Sequence, residues 1–393
     1  MAKELTFAIQ ITKSDLVKVL TGFTKNLKGV NILQWTGNTA EKGPIAVKTT
    51  PDIILIDENP EGGDLFVRIK TIKSHFPQTS LFVVSANKEH QNIITAMKAG
   101  ASEYLVEPVL ENTLHNAIEE VRAKLANAGR LAQGRIYSFI SAKGGAGSTV
   151  LAVNTAAALA MDKKTAVALL DMSFQSGDAS VLLDIVPQNT IMDICLNMHR
   201  LDVSFLRSVM SSHSTGIDFL PAPLNPEDSE DINSEHITSI LNLARKLYDH
   251  VVLDCGSMHV NDCSVEAFKQ SDKVFVITDM SVPSIRNTVR LCKLIRKFGI
   301  SLDKIEIVIN RFYKGGALSL AEVEKSFDKP VYWLVPNNDF LDMVSSINRG
   351  VPMVKLSSGA PFSKNIFEFI KKFQGILDNQ DFRGIKGTFG KII

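Results

Sequence analysis

The sequence predicts an α/β chain of two doubly wound domains, each on a mostly parallel sheet, and three observations carry that expectation. Short apolar runs alternate with amphipathic stretches along the chain, a pattern that lays strands side by side with helices over both faces. A glycine-rich loop, Ser141-Ala-Lys-Gly-Gly-Ala-Gly-Ser-Thr149, joins an apolar strand to an alanine-rich helix. At 393 residues the chain exceeds one ordinary core, and 45% hydrophobic with 22% charged residues is globular composition.

The first domain is expected over residues 1–126. Its strands read as Leu5–Ile11, Val30–Leu33, Ile53–Ile56, Leu81–Val84 and Tyr104–Val106, with helices at Asp15–Phe23, Leu65–Phe76, Gln91–Ala99 and Leu110–Leu125. Residues 127–134, Asn-Ala-Gly-Arg-Leu-Ala-Gln-Gly, mix small and polar types and read as a linker. The second domain is expected over 135–393.

A net charge of +1 gives no global basic field, so nucleic acid is not an expected partner. Cys195, Cys255, Cys263 and Cys292 form no C-x-x-C pair and no metal-spaced cluster with the eight histidines, so they read as reduced structural thiols. With no long apolar run and no basic leader in the sequence, a cytoplasmic location is expected.

In the loop, Gly144, Gly145 and Gly147 allow a tight turn that aims backbone N–H groups at an anion, and the helix beginning near Thr149 adds its positive dipole end. A triphosphate is the natural guest. The lysine that normally follows the last glycine and neutralises the β- and γ-phosphates is replaced by Ser148, while Thr149 keeps the hydroxyl for Mg²⁺. Two further apolar strands end on acids, Leu169-Leu-Asp171 and His250-Val-Val-Leu-Asp254. Asn310 and Arg311 follow the run beginning at Ile305, and Val335-Pro336 precedes a polar turn.

In this order and spacing, these segments resemble the MinD/ParA family of P-loop ATPases over residues 134–375. The resemblance implies ATP and Mg²⁺ as cofactors, with Lys143, Gly144, Gly145, Ala146, Gly147, Ser148, Thr149, Asn310, Arg311 and Pro336 at the nucleotide and Thr149, Asp171 and Asp254 at the metal. It identifies Lys143 as the signature lysine that reaches a partner's phosphates, hence a homodimer. The family's water-orienting aspartate is Ser173 here. With two charges missing at the γ-phosphoryl, hydrolysis is expected to be slow or lost, and no residue is assigned as catalytic.

The first domain, through Pro51-Asp-Ile-Ile-Leu-Ile-Asp57, Val83-Val-Ser-Ala86 and Ala96 to Pro108, is similar to a response-regulator receiver, a CheY/flavodoxin-like fold. Of the receiver's phosphorylation groups only Asp57 and Ser85 remain. Ile11-Thr12-Lys13 stand where the acidic pair belongs, and Glu107 occupies the lysine position, so Asp57 is a degenerate acceptor in a pseudo-receiver.

A pseudo-receiver followed by such a P-loop domain resembles the CpaE/TadZ family. That resemblance implies a scaffold that localises and helps assemble Flp/Tad-type pilus machinery, often at a cell pole or on the inner face of the cytoplasmic membrane. A cycling MinD/ParA-like ATPase that positions cargo is the alternative, and a DNA-segregating ParA a weaker third. The stretch Phe362–Leu377 reads as a closing helix of the domain, with an amphipathic membrane helix as the competing interpretation. For the tail Asp381–Ile393, peripheral membrane contact, partner binding and absence of structure stay open.

Overall fold

The computed structural model describes residues 5–25, 30–34, 50–58, 64–127, 133–257, 260–313, 318–337 and 339–376. The chain divides into two compact units, Met1–Gln133 and Gly134–Ile393.

Unit 1 contains β1 (Leu5–Gln10), α1 (Ser14–Lys25), β2 (Val30–Gln34), β3 (Ile53–Asp57), α2 (Leu65–His75), β4 (Ser80–Ser85), α3 (His90–Ala99), β5 (Glu103–Val106) and α4 (Glu111–Asn127). The strands form one sheet in the order β2-β1-β3-β4-β5, and every described pairing is parallel. β3 is buried along its whole length, as expected of a central strand covered on both faces, and it delivers Asp57 to the carboxyl edge. Sheet order and polarity are those of a doubly wound receiver-like domain.

Unit 2 begins with β6 (Arg135–Ser141), α5 (Ser148–Ala160), β7 (Val167–Asp171), α6 (Ala179–Leu182), α7 (Ile191–Cys195), α8 (Val203–Val209), β8 (Ser211–Ser212) and β9 (Ile217–Leu220). It continues with α9 (Ser234–Leu247), β10 (His250–Ser257), α10 (Asp262–Gln270), β11 (Lys273–Thr278), α11 (Val282–Lys297) and β12 (Ile305–Phe312). It closes with α12 (Leu320–Phe327), β13 (Trp333–Pro336), α13 (Phe340–Asn348), α14 (Met353–Leu356) and α15 (Pro361–Phe373). The sheet order is β13-β12-β11-β6-β10-β7-β9-β8, parallel except for the β8–β9 edge pair.

The glycine-rich loop feeds α5 into the middle of this unit. From Leu151 to Ala160 every α5 residue is buried, and a helix apolar on all sides is a core helix. Its one interior amide is satisfied: Asn154 Nδ2 donates to Val150 O at 2.9 Å, and its Oδ1 accepts from the Val354 N–H at 3.1 Å.

Helix α15 closes the same core. Phe362, Ile366, Phe369, Ile370 and Phe373 are buried, with ring centroids 4.8 Å apart for Phe275–Phe369 and 4.6 Å apart for Tyr137–Phe373. Asn365 accepts from the Trp333 indole N–H at 2.8 Å and donates to Leu334 O at 3.0 Å. Its apolar face is therefore spent on the sheet, which corrects the competing interpretation of Phe362–Leu377 as a membrane helix. The expected tail, Asp381–Ile393, lies outside the described residues.

Two boundaries differ from the sequence reading. Most of the expected linker lies outside the described residues, but Gly134 is built into unit 2: its N–H donates to Arg245 O at 2.8 Å, and a Cβ there would meet Tyr248 O at 1.8 Å. β10 does not end on Asp254. It runs to Ser257 through a register shift, because Gly256 takes a left-handed φ of 64° that lets the strand bend and resume pairing with β6 at Ser141.

Candidate functional site

The loop between β6 and α5 turns through Gly145 (φ 78°) and Gly147 (φ 100°), conformations that a side chain would strain. Lys143, Gly144 and Gly145 are exposed, Ala146 is buried and Thr149 half-buried. No side chain caps the first turn of α5, so its leading N–H groups remain open for an anion at the helix end.

Asn310, from β12, braces the loop from below. Its Nδ2 donates to Ala146 O at 2.8 Å, its Oδ1 accepts from the Arg311 N–H at 2.9 Å, and a Cβ on Gly147 would come within 2.4 Å of that Nδ2. The Asn310 amide therefore holds the backbone of the loop where the nucleotide is expected. Arg311 is exposed at φ 53°, inside the register shift where β12 parts from β13, and Pro336 sits opposite Phe312 at the end of β13.

Asp171 and Asp254 lie directly opposite each other on β7 and β10. Asp171 Oδ1 accepts from the Ser173 N–H at 3.0 Å and Oδ2 from the Ala179 N–H at 3.3 Å. A Cβ on Gly177 would stand 2.7 Å from Asp171 Oδ2, so glycine is what lets this loop fold over the carboxylate. Asp254 is 0% exposed; Oδ1 accepts from the Gly256 N–H at 3.2 Å, and Oδ2 has no hydrogen-bond partner.

Burial pushes both carboxyls up. Asp171 rises well above the usual range, first by desolvation and then by the charge of Asp254, while Asp254 is pushed up to about 6 by desolvation, against the pull of the Thr149 hydroxyl. The Asp178 carboxylate raises both, a neighbour the sequence reading missed because its position in the polar loop carries no periodic signal.

A divalent cation fits this arrangement. The unpartnered Asp254 Oδ2 is a buried acceptor without a donor, and Thr149 stands beside it. Among the described residues no group of three or more His, Cys, Asp or Glu could hold a metal alone, so such an ion would draw its other ligands from phosphate and water. Mg²⁺ is ordinarily held in that way.

The two serines that replace expected charges both have hydrogen-bond partners, Ser148 in the interior and half-buried Ser173 within its own loop. Ser148 is 5% exposed, and its Oγ donates to Gly256 O at 2.9 Å, with Ser141 Oγ 3.2 Å from both. Ser173 Oγ donates to Ser176 O at 3.3 Å and would stand 2.5 Å from a Cβ on Gly256. Gly256 is thus where the loop, β7's exit and β10 meet. Beside it, burial pushes the Cys255 thiol up, as it does those of Cys195, Cys263 and Cys292, which leaves all of them protonated packing residues.

In unit 1, Asp57 is 1% exposed and engaged. Its Oδ2 accepts from the Thr12 N–H at 2.8 Å and from Thr12 Oγ1 at 2.6 Å. The Ser85 hydroxyl donates to Glu58. Lys13 Nζ lies 2.7 Å from Glu107 Oε1, so the receiver's acid and lysine positions have exchanged sign and still pair. One oxygen of the phosphoryl acceptor and its hydroxyl neighbour have other partners, Asp57 Oδ1 is buried without one, and the cation position is an acid paired with Lys13. Beryllium fluoride or acetyl phosphate with Mg²⁺ is accordingly expected to leave the NMR spectrum of unit 1 unchanged; shifts centred on Asp57 would contradict this.

Comparison with known proteins agrees with the geometry. Residues 134–307 match the family model described as AAA domain. The chain is 23% identical over 248 residues to the septum site-determining protein MinD of Thermotoga maritima, covering 62% of this chain and 89% of that protein. It is 28% identical over 149 residues to the probable C4-dicarboxylate response regulator DctR of Halalkalibacterium halodurans, covering 36% of this chain and 64% of that protein. The crystal structure of a ParA family ATPase from Chlorobium tepidum TLS is similar, with TM-score 0.57 and 28% identity over 60% of this chain and 98% of that one. The second unit is a MinD/ParA-like P-loop domain.

Proposed function

We propose that the chain is an ATP·Mg²⁺-binding scaffold that dimerises through its P-loop face, hydrolyses slowly or not at all, and serves the localisation and assembly of Flp/Tad-type pilus machinery. The observation that carries the binding half is the combination of an open, uncapped α5 N-terminus with a buried carboxylate pair that retains an unpartnered oxygen. Backbone N–H groups of residues 144–149 would hold the phosphates. Thr149, Asp171 and Asp254 would hold Mg²⁺, which when bound neutralises phosphate charge. Lys143 is exposed beside the loop and is free to reach a second copy.

The slow chemistry follows from Ser148 and Ser173, whose hydroxyls are occupied by Gly256 O and Ser176 O. A locked pseudo-receiver supports the assembly half, because it offers a fixed surface for docking in place of a phosphorylation switch. The cytoplasmic face of the membrane, at a cell pole, is the proposed location.

Calorimetry tests the binding half: ATP with Mg²⁺ is expected to give saturable heat, and omission of Mg²⁺ to weaken it. A folded protein that gives no heat at millimolar ATP would remove the nucleotide from the proposal. The assembly half fails if cells lacking the protein carry a normal number of surface pili.

A further inference from the structure

Helix α11 presents a basic stripe that nothing described in the fold accounts for. Ser284, Ile285, Thr288, Leu291 and Ile295 are its buried face, packed toward β11. Arg286, Arg290, Lys293 and Lys297 follow one another at i, i+4, i+7 and i+11, which places them in one line on the side opposite that buried face, and all are exposed. Arg296 is also exposed, and the helix carries no acidic residue.

Two physical observations set this stripe apart from an ordinary solvated face. Neighbouring like charges at i+3 and i+4 destabilise a helix, so the line of four is unfavourable in the isolated protein, even though Arg296 and Lys297 in the last turn suit the negative end of the dipole. Among the described residues the ion pairs of unit 2 engage Arg245, Lys269, Lys273, Lys329 and Lys371, and none of the five basic residues of α11. The charge is local, since the whole chain carries only +1.

Apolar side chains flank the stripe. Val282 is 64% exposed, Leu294 38% and Phe298 43%, with Leu302 following just beyond the helix. Basic residues along the outermost line with exposed aliphatic and aromatic groups beside them match an anionic bilayer surface, where the charges meet lipid phosphates and the apolar groups enter the headgroup boundary. A nucleic acid backbone would reward the charges but leave Leu294 and Phe298 without a role.

We propose that α11 docks unit 2 on anionic membrane. The surface is separate from the P-loop, and the proposal does not depend on nucleotide binding. The test is co-sedimentation of the full chain with phosphatidylglycerol/phosphatidylcholine vesicles and with pure phosphatidylcholine vesicles. Binding is expected only to the anionic vesicles, and weaker at raised salt. Replacing Arg286, Arg290, Lys293 and Lys297 together with glutamine is expected to weaken partition by roughly 10²–10³-fold. A set replacing Arg286→Lys and Arg290→Lys is expected to keep it with an unchanged thermal transition, and since relief of like-charge repulsion can only help the helix, the glutamine set should melt no lower than wild type.

A tail variant with Arg383, Lys386 and Lys391 changed to glutamine separates the two basic segments. Loss of binding in the tail variant with full binding in the α11 variant would overturn the proposal. So would vesicle binding indifferent to lipid charge, or salt-sensitive binding of duplex DNA in place of vesicles.

Discussion

Asp254→Asn is expected to make the metal-free protein more stable at neutral pH and to abolish the Mg²⁺ dependence of nucleotide binding. Asp254 is fully buried and pushed up to about 6 from an ordinary 3.8, with burial the leading cause. The folded state therefore holds its proton more tightly than the unfolded chain does. The sign follows: stability contributed by the protonated form is present below about pH 4, is lost as pH rises toward 6, and stays lost above. At 1.36 kcal/mol per tenfold, the loss is on the order of 3 kcal/mol.

Asparagine removes that charge, and its carbonyl can still accept from the Gly256 N–H. Thermal melts in chelator across pH 4–7 should show a flatter profile for the variant and a higher Tm at pH 7. The same change removes the oxygen that would meet Mg²⁺, so nucleotide affinity with Mg²⁺ should fall about 10–100-fold or more, to the level seen without it. A variant that melts like wild type yet keeps full Mg²⁺-dependent binding would show that the ion sits elsewhere.

Local signals made much of this legible. Three glycines between an apolar strand and an alanine-rich helix specify a loop that only that context uses, and acids closing apolar runs mark the carboxyl edge of a parallel sheet. Strand order is not local. β10 lies between β6 and β7, and that insertion, which sets Asp254 against Asp171, appears nowhere in the periodicity.

The same holds for side chains whose partners are far along the chain. Ser148 was legible as a missing lysine, but its engagement with Gly256, 108 residues on, depends on β10 continuing past Asp254 through a left-handed glycine. Asn310 has a residue type suited to a nucleotide, yet its amide serves Ala146, 164 residues away. In unit 1 the sequence showed two charges of the wrong sign at Lys13 and Glu107; that they compensate each other emerges only in the fold, where the residues following β1 and β5, strands separated by β3 and β4, are brought together.

The largest kinetic effect is expected from Ser148→Lys combined with Ser173→Asp, and the structure predicts that their effects are strongly coupled. Ser148→Lys alone gives up the hydroxyl bond to Gly256 O, but Ser141 Oγ, 3.2 Å from that carbonyl, still donates to it, so no buried acceptor is stranded. The lysine supplies positive charge to the phosphates and should tighten nucleotide binding. Ser173→Asp alone adds a carboxylate beside Asp171 and Asp254, both already raised by burial and by the nearby Asp178 charge, so it is expected to bring no gain and a lower Tm. With the lysine present the added acid has a counter-charge and can orient water at the γ-phosphoryl. Each such group is commonly worth roughly 10²–10³ in rate, and because both act on one centre the gain belongs to the pair. Phosphate-release assays on the four proteins of the cycle should therefore show a rate at least about 10²-fold above wild type only in the double variant. Wild-type protein that already turns over rapidly, with Ser148→Lys adding nothing, would show that the inward-bonded serine does not limit hydrolysis and would favour a cycling ATPase over a nucleotide-bound scaffold.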